Sequence, residues 1–248
     1  NSPLNKEIII VDDGSTDDTS VIVNEYITNN VPIKFFKQKN KGFANARNKA
    51  LEMSTHNWIV IIDHDDICFS DRLEKHIKQI IDNPNCKLFF GDTIHINNKG
   101  EYIDNHLRKF NFNNISLKKM NVAYSLLKYG CFIDSESVVF DKNSAKKING
   151  FNEDYKYLAD YDFFIKMGEH FDFELTFDKL SYWRMHDQQA SNLFINTNAK
   201  ELIRLFYIKL FDNKYNLFMK LQIFKKLIIF LLILINIKIK NILSKIKI

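Results

Sequence analysis

Cysteine is scarce in this 248-residue chain: Cys68, Cys86 and Cys131 are widely spaced and form no CxxC pair. That pattern argues against a disulfide framework or a cysteine-built zinc site and points to a reducing compartment. No Pro/Gly/Ser-rich linker divides the chain and no internal repeat recurs, so its length suits one domain with an appendage. No apolar run reaches the roughly 20 residues of a confident transmembrane helix. No signal peptide is visible, and the chain opens on Asn1 rather than Met, so an upstream segment is expected.

What charge there is lies unevenly. The net +5 conceals a tail, residues 200–248, with 11 Lys/Arg against 2 Asp/Glu, and a body with 24 against 28. The body therefore offers no electrostatic footprint for nucleic acid. In the tail, Leu227 to Ile235 is apolar without a break and flanked by Lys225, Lys226, Lys238 and Lys240. A basic amphipathic segment lying in a membrane surface is the favoured reading; a helical hairpin on the domain or a subunit contact is the alternative.

Trp58-Ile59-Val60-Ile61-Ile62 runs straight into Asp63-His64-Asp65-Asp66. A short β-branched run reads as a strand buried on both faces, and ligands in α/β sheets bind at the carboxyl ends of strands. Three acids in four residues are unfavourable unless a cation or donors neutralise them; otherwise they form a solvated loop. Hard carboxylate oxygens suit Mg²⁺ or Mn²⁺, an ion that commonly also holds phosphate. Glu7–Val11 is a second such strand, running into Asp12, Asp13, Asp17 and Asp18, with Gly14 for a turn and Ser15 or Thr16 to cap a helix.

Further strands are expected at Ile33–Phe36, Leu88–Phe90, Ser137–Phe140, Phe173–Phe177 and Leu180–Trp183. Helices are expected after Lys41, over about 71–81, over Lys142–Lys147, and over Leu158–Met167 with acids in its first turn. The alternation predicts an α/β fold with a doubly wound, mostly parallel sheet over residues 1–195 and a helical tail over 196–248. The stretch from about 91 to 129 reads as irregular.

Several of these segments together resemble the family 2 glycosyltransferases of the GT-A fold. They are Glu7–Asp17, Asn40-Lys41-Gly42 with Ala46-Arg47-Asn48, Asp63–Asp66, Gly150–Glu153, Ala159–Asp162, and Trp183–His186 followed by Ser191. They occur in the family's order and span about residues 5–191. The resemblance implies transfer of a sugar from a nucleotide-diphosphate donor, a UDP-sugar by preference, to an acceptor hydroxyl with inversion. It implies that Asp13 reads the uracil edge, that Arg47 lies near the base, and that Asp63 contacts the ribose or the metal shell. Asp65 then holds Mn²⁺ or Mg²⁺, and Asp160 is the general base, favoured because Ala159 replaces the usual Glu before it, with Asp162 its competitor. Arg184 and His186 match a loop that closes over the diphosphate, His186 being a further metal ligand or a structural residue. Arg47 reads equally as a surface helix residue, His64 as a bystander, and Asp66 as a cap for the following helix.

The resemblance also implies a strand of the type S-V-I-I-P-x-Y-N ahead of Glu7, which this sequence does not contain; a fragment of a longer protein is the favoured expectation, and another segment occupying the gap is the alternative. The implied partners are a nucleotide-sugar donor and a glycan or lipid-linked glycan acceptor, with no nucleic acid. Work on a cell-surface glycan at the cytoplasmic, inner face of a membrane is expected. A catalytically inert nucleotide-sugar-binding or scaffold module on the same fold is the alternative. A nucleotidyltransferase is less favoured, since no Gly-rich phosphate loop is present near the start.

Overall fold

The structure, a computed structural model, describes residues 5–186 and 195–246. Ile8–Asp12 forms β1, Thr19–Thr28 forms α1, and Ile33–Lys37 forms β2, parallel to β1 with Ile8 opposite Ile33. Helix α2 (Phe43–Met53) crosses β1 and leads to β3 (Trp58–Val60). Then come β4 (Ile67–Cys68), α3 (Arg72–Asp82), β5 (Leu88–Ile96), β6 (Tyr102–Asn105) and α4 (Asn121–Tyr129). β7 (Val139–Asp141), α5 (Lys142–Lys147), α6 (Ala159–His170) and β8 (Phe173–Arg184) complete the body. Helices α7 (Ile195–Phe211) and α8 (Leu217–Ile246) form a terminal hairpin.

The strands make two sheets rather than one. β1 and β2 stand as a parallel pair; the larger sheet runs β3-β7-β5-β8-β4, with β6 beside β5. Within it only β5–β8 is parallel, while β3–β7, β5–β7, β4–β8 and β5–β6 are antiparallel. The α/β class stands, but the mostly parallel sheet is corrected to a mixed one. Alternation of strands and helices in sequence does not determine which strands become neighbours, and here β7 inserts antiparallel between β3 and β5.

β5 is the centre, and every one of its nine residues is buried. It continues well past the expected Leu88–Phe90 because the twelve-residue β8 runs alongside it, where two shorter strands were expected. Gly91 permits that approach at a bulge in the ladder: a Cβ there would lie 2.5 Å from Leu180 Cδ1. Below the sheet, Phe163 stacks on Phe151 at 4.2 Å and meets Phe140 at 4.9 Å, joining α6 to the strands.

The Trp58–Ile62 run is not a strand buried on both faces. It lies at the sheet edge, stops at Val60, and leaves Ile62 55% exposed. Side chains take over its backbone there: buried Arg72 donates to Ile61 O at 3.2 Å, and Asp63 N donates to Glu136 Oε2 at 3.1 Å. Leaving the ladder early frees the acids to turn into a cleft. Likewise α1 is not capped by Ser15 or Thr16. Ser15 N donates to Asp12 instead, and Asp17 Oδ1 accepts from Thr19 N at 3.1 Å.

The terminal hairpin packs on the body. Leu205, Phe206, Tyr215, Ile223 and Leu227 join the core formed by α4 and α6. The outer side of α8 carries an exposed apolar stripe, Leu217, Leu221, Phe224, Ile228, Leu231 and Ile235. Among the described residues no helix is long and apolar enough to cross a membrane.

Candidate functional site

The acids after β3, the turn before β7, the start of α6 and the end of β8 face one another at one end of the sheet. Arg47 joins two of these groups. From α2 its Nη2 donates to both oxygens of Asp63, at 2.8 and 2.9 Å, and its Nη1 donates to Asp160 Oδ1. The rings of Phe43 and Phe151 lie 5.1 and 5.7 Å from the guanidinium. Burial alone would lower the Arg47 pKa, but Asp160 and then Asp63 override it and hold the cation firmly charged. The sequence reading placed Arg47 near a base or on the surface; the structure places it as the bridge between Asp63 and Asp160.

Asp160 sits in the first turn of α6, where the helix dipole favours its charge. Burial pushes its pKa up, the Arg47 cation works against that, and Asp63 adds to it. A raised carboxylate beside a cleft is the setting of a general base. Asp162, the competitor, is buried elsewhere and pairs with Lys166 at 3.4 Å.

Asp65 and His186 meet from opposite sides of the cleft, with His186 Nε2 3.0 Å from Asp65 Oδ2. His64 is exposed between its neighbours. Asp66 does not cap α3; its Oδ1 accepts from the backbone N of Arg184 at 2.8 Å and so ties the acidic turn to β8. Burial first, and the nearby Asp65 and Asp63 carboxylates, raise Asp66 to about 7.

Glu136 is the residue that sequence reasoning missed. It lies on a single 3₁₀ turn (Ser135–Ser137), is 2% exposed, and is raised to about 9 by burial and then by Asp63 and Asp66. Asp63, Asp66 and Glu136 present carboxylate oxygens within 4.8 Å of one another. Nothing local in the Ser135-Glu136-Ser137 segment marks it, since only folding carries it to the acids. A buried acid held protonated by its neighbours fits a place for a hard divalent cation, which would replace the proton. Asp65 and His186 stand beside that set.

Asp13 lies apart, at the turn after β1. Its Oδ1 accepts from Gln38 Nε2 at 2.8 Å and Lys41 N at 2.9 Å, and its Oδ2 from Gly42 N at 2.8 Å. It thereby pins the 38–42 loop, while Gly14, at φ +85, lets that loop approach so closely that a Cβ would sit 2.7 Å from Asn40 N. Beneath it, buried Asp12 would be raised by burial, but Ser15, Lys37 and Ser20 outweigh that and hold it at about 2. Ser191 lies outside the described residues.

An α/β fold with paired acids at a strand end, facing a helix-borne carboxylate across an arginine, is the architecture of the GT-A fold. The chain belongs to glycosyl transferase family 2, whose family model matches residues 1–148. It is 28% identical over 186 residues to the chondroitin synthase of Escherichia coli, covering 75% of this chain and 25% of that protein. The chain thus spans about a quarter of that relative's length. Its fold matches S. aureus TarS 1-349 in complex with UDP-GlcNAc at TM-score 0.67 and 19% identity, over 90% of this chain and 62% of that 1-349 chain. It also matches the mannosyltransferase PcManGT from Pyrobaculum calidifontis, in complex with GDP-Man and Mn²⁺, at TM-score 0.61 and 19% identity, over 89% and 59% of the two chains.

Proposed function

We propose that the protein containing this chain is an inverting, divalent-cation-dependent glycosyltransferase that moves a sugar from a nucleotide-diphosphate donor, a UDP-sugar in our reading, to an acceptor hydroxyl of a cell-surface glycan. The observation that carries the proposal is the Arg47 bridge, which sets Asp160 and the Asp63–Asp66 turn on one cleft. Family membership and the names of the chondroitin synthase, UDP-GlcNAc and GDP-Man relatives support it.

In this reading Asp13 and the 38–42 loop receive the base, Arg184 faces the diphosphate, and Asp63, Asp65, Asp66, Glu136 and His186 would hold Mn²⁺ or Mg²⁺. That ion supplies Lewis-acid stabilisation of the charge on the departing diphosphate. Base catalysis in this reading requires the Arg47–Asp160 contact to open so that the carboxylate is free. The acceptor oxygen then attacks the anomeric carbon opposite the diphosphate, its proton passing to Asp160, so the carbon inverts with no covalent enzyme intermediate.

Asp160→Asn should lower transfer by roughly 10²–10⁴-fold, the span of a lost general base, with UDP binding retained. Asp65→Asn should weaken Mn²⁺-dependent UDP binding as well as transfer. Product assays and calorimetry on the full-length protein read both. Retained turnover in the two variants would overturn the mechanism, and tight UDP binding by a wild type that never turns over would support the inert module instead.

The basic hairpin supports a peripheral contact with the cytoplasmic face of an anionic membrane, its apolar stripe shallowly inserted and its lysines over the headgroups. Sedimentation with anionic but not zwitterionic vesicles is the expected result; equal pelleting with neither would remove it.

A further inference from the structure

Behind the acidic cleft lies a second cluster that the proposed transfer does not use. His95 sits on β5 with its side chain 1% exposed, His106 opens a 3₁₀ turn (His106–Lys109), and Asp134 immediately precedes the Glu136 turn. One ligand atom of each lies within 4.8 Å of the others. His95 Nδ1 is 2.6 Å from Asp104 Oδ1, too close for two lone pairs, which favours the ring proton on Nδ1 although the angle leaves that oxygen without a regular hydrogen bond. Lys109 also approaches that nitrogen at 3.5 Å, but it pairs more closely with Asp104 Oδ2, at 3.1 Å.

With the proton on Nδ1, His95 Nε2 turns a bare lone pair toward Asp134 Oδ2, 3.7 Å away. Both atoms are buried without a hydrogen-bond partner, and so is His106 Nε2. Three buried polar atoms thus converge with no hydrogen bond of regular geometry among them, an arrangement that burial penalises unless a shared proton or a cation joins them. Burial also lowers the His106 pKa and keeps its imidazole neutral, the form that binds metals. Trp183, edge-on to His95 at 4.7 Å, and Phe110, 5.5 Å from His106, wall the cluster with apolar rings.

We propose that His95, His106 and Asp134 bind a single transition-metal ion of the Zn²⁺ class, with Asp104 as the outer carboxylate that orients His95. Two imidazoles and one carboxylate suit Zn²⁺, whereas the all-carboxylate set of Asp63, Asp66 and Glu136 suits Mg²⁺ or Mn²⁺. The ligands of a tetrahedral zinc lie roughly 3.3 Å apart, so the three side chains draw together by about an ångström on binding. An imidazole that donates its far N–H to a carboxylate is the usual outer arrangement of a metal-bound histidine. Three protein ligands leave one position for water or a hydroxyl of a bound molecule. The Asp134–Glu136 segment contributes to both clusters.

The test is metal content and Co²⁺ absorption of the whole chain, stripped with chelator and reloaded in excess Mg²⁺ so that the carboxylate site is filled. One equivalent of Zn²⁺ should survive dialysis, and Co²⁺ should give the intense visible bands of four-coordinate nitrogen and oxygen ligation. His106→Gln and Asp134→Asn should lose both, and Asp65→Asn should lose neither. Asp104→Asn, at an accessible carboxylate, should weaken Zn²⁺ affinity about 10–100-fold. If the ligand variants do not fold, the Asp104→Asn affinity and the His95 ¹⁵N shifts of the wild type on adding Zn²⁺ decide. Substoichiometric metal, a weak six-coordinate spectrum, loss in Asp65→Asn alone, or a His95 ring protonated on both nitrogens and indifferent to Zn²⁺ would each overturn the site.

Discussion

Glu136 and Glu169 are almost equally buried, at 2% and 3% exposure, yet the protein treats them in opposite ways. Glu169, on α6, meets the hairpin: Lys209 donates to it at 2.5 Å, Lys214 at 2.8 Å and the Tyr215 hydroxyl at 2.8 Å. Burial would raise its pKa, and Lys209 with its neighbours reverses that and holds it low. Glu136 receives the backbone N–H of Asp63 and the Ser135 hydroxyl, no cation donates to it among the described residues' hydrogen bonds, and it faces other carboxylates. A carboxylate satisfied by cations fastens the hairpin to the body. One left among like charges is an unmet requirement, and unmet requirements gather where a ligand completes the structure.

The contrast breaks most sharply at Glu169. Glu169→Gln leaves Lys209 buried beside a neutral partner and should cost about 3–5 kcal/mol, read by denaturant or thermal unfolding of the whole chain. A loss below about 1 kcal/mol would show that the hairpin is held by apolar packing alone. Glu136→Gln should be nearly neutral at pH 5 and should instead change the pH dependence. The folded protein keeps the Glu136 proton up to about 9, whereas an unperturbed glutamate releases it near 4.5. Metal-free stability therefore falls as pH rises through that window, and the Gln variant should flatten the fall. Glu169 has the opposite sign: its contribution is present above the ordinary glutamate value and is lost as pH falls through its lowered one. Melting series in chelator from pH 5 to 9 check this, and identical slopes in wild type and Glu136→Gln would refute it. Smallest of all, His64→Ala, at an exposed position between the acids, should stay within about 0.5 kcal/mol in stability and leave transfer unchanged. A large loss of transfer would make His64 part of the site.

Some of this was legible in the residues and some was not. The α/β class and the placing of α3, α5 and α6 follow from short local patterns; the family resemblance singles out Asp63, Asp65, Asp160 and His186, and the fold brings those four side chains to the same end of the sheet. Arg47 was identified but its task was not, because its partners lie 16 and 113 residues away. Asp66 was read as a helix cap, since nothing local reveals that the backbone of Arg184 will reach it. Glu136, His95, His106 and Asp134 carried no motif at all. Their meaning is positional, created where β5, β7 and the turns between them meet.

Taken alone, the order of apolar runs, turns and acids determined the kind of fold and the end of the sheet where chemistry gathers, because side-chain periodicity and strand-end acids are properties of neighbours in sequence. Only the tertiary structure decided which strands pair, that the sheet divides in two and runs mixed, and which buried carboxylates find cations. Those outcomes depend on contacts between residues tens of positions apart, where the cost of burying each charge is met, or left unmet, by partners that no local pattern specifies.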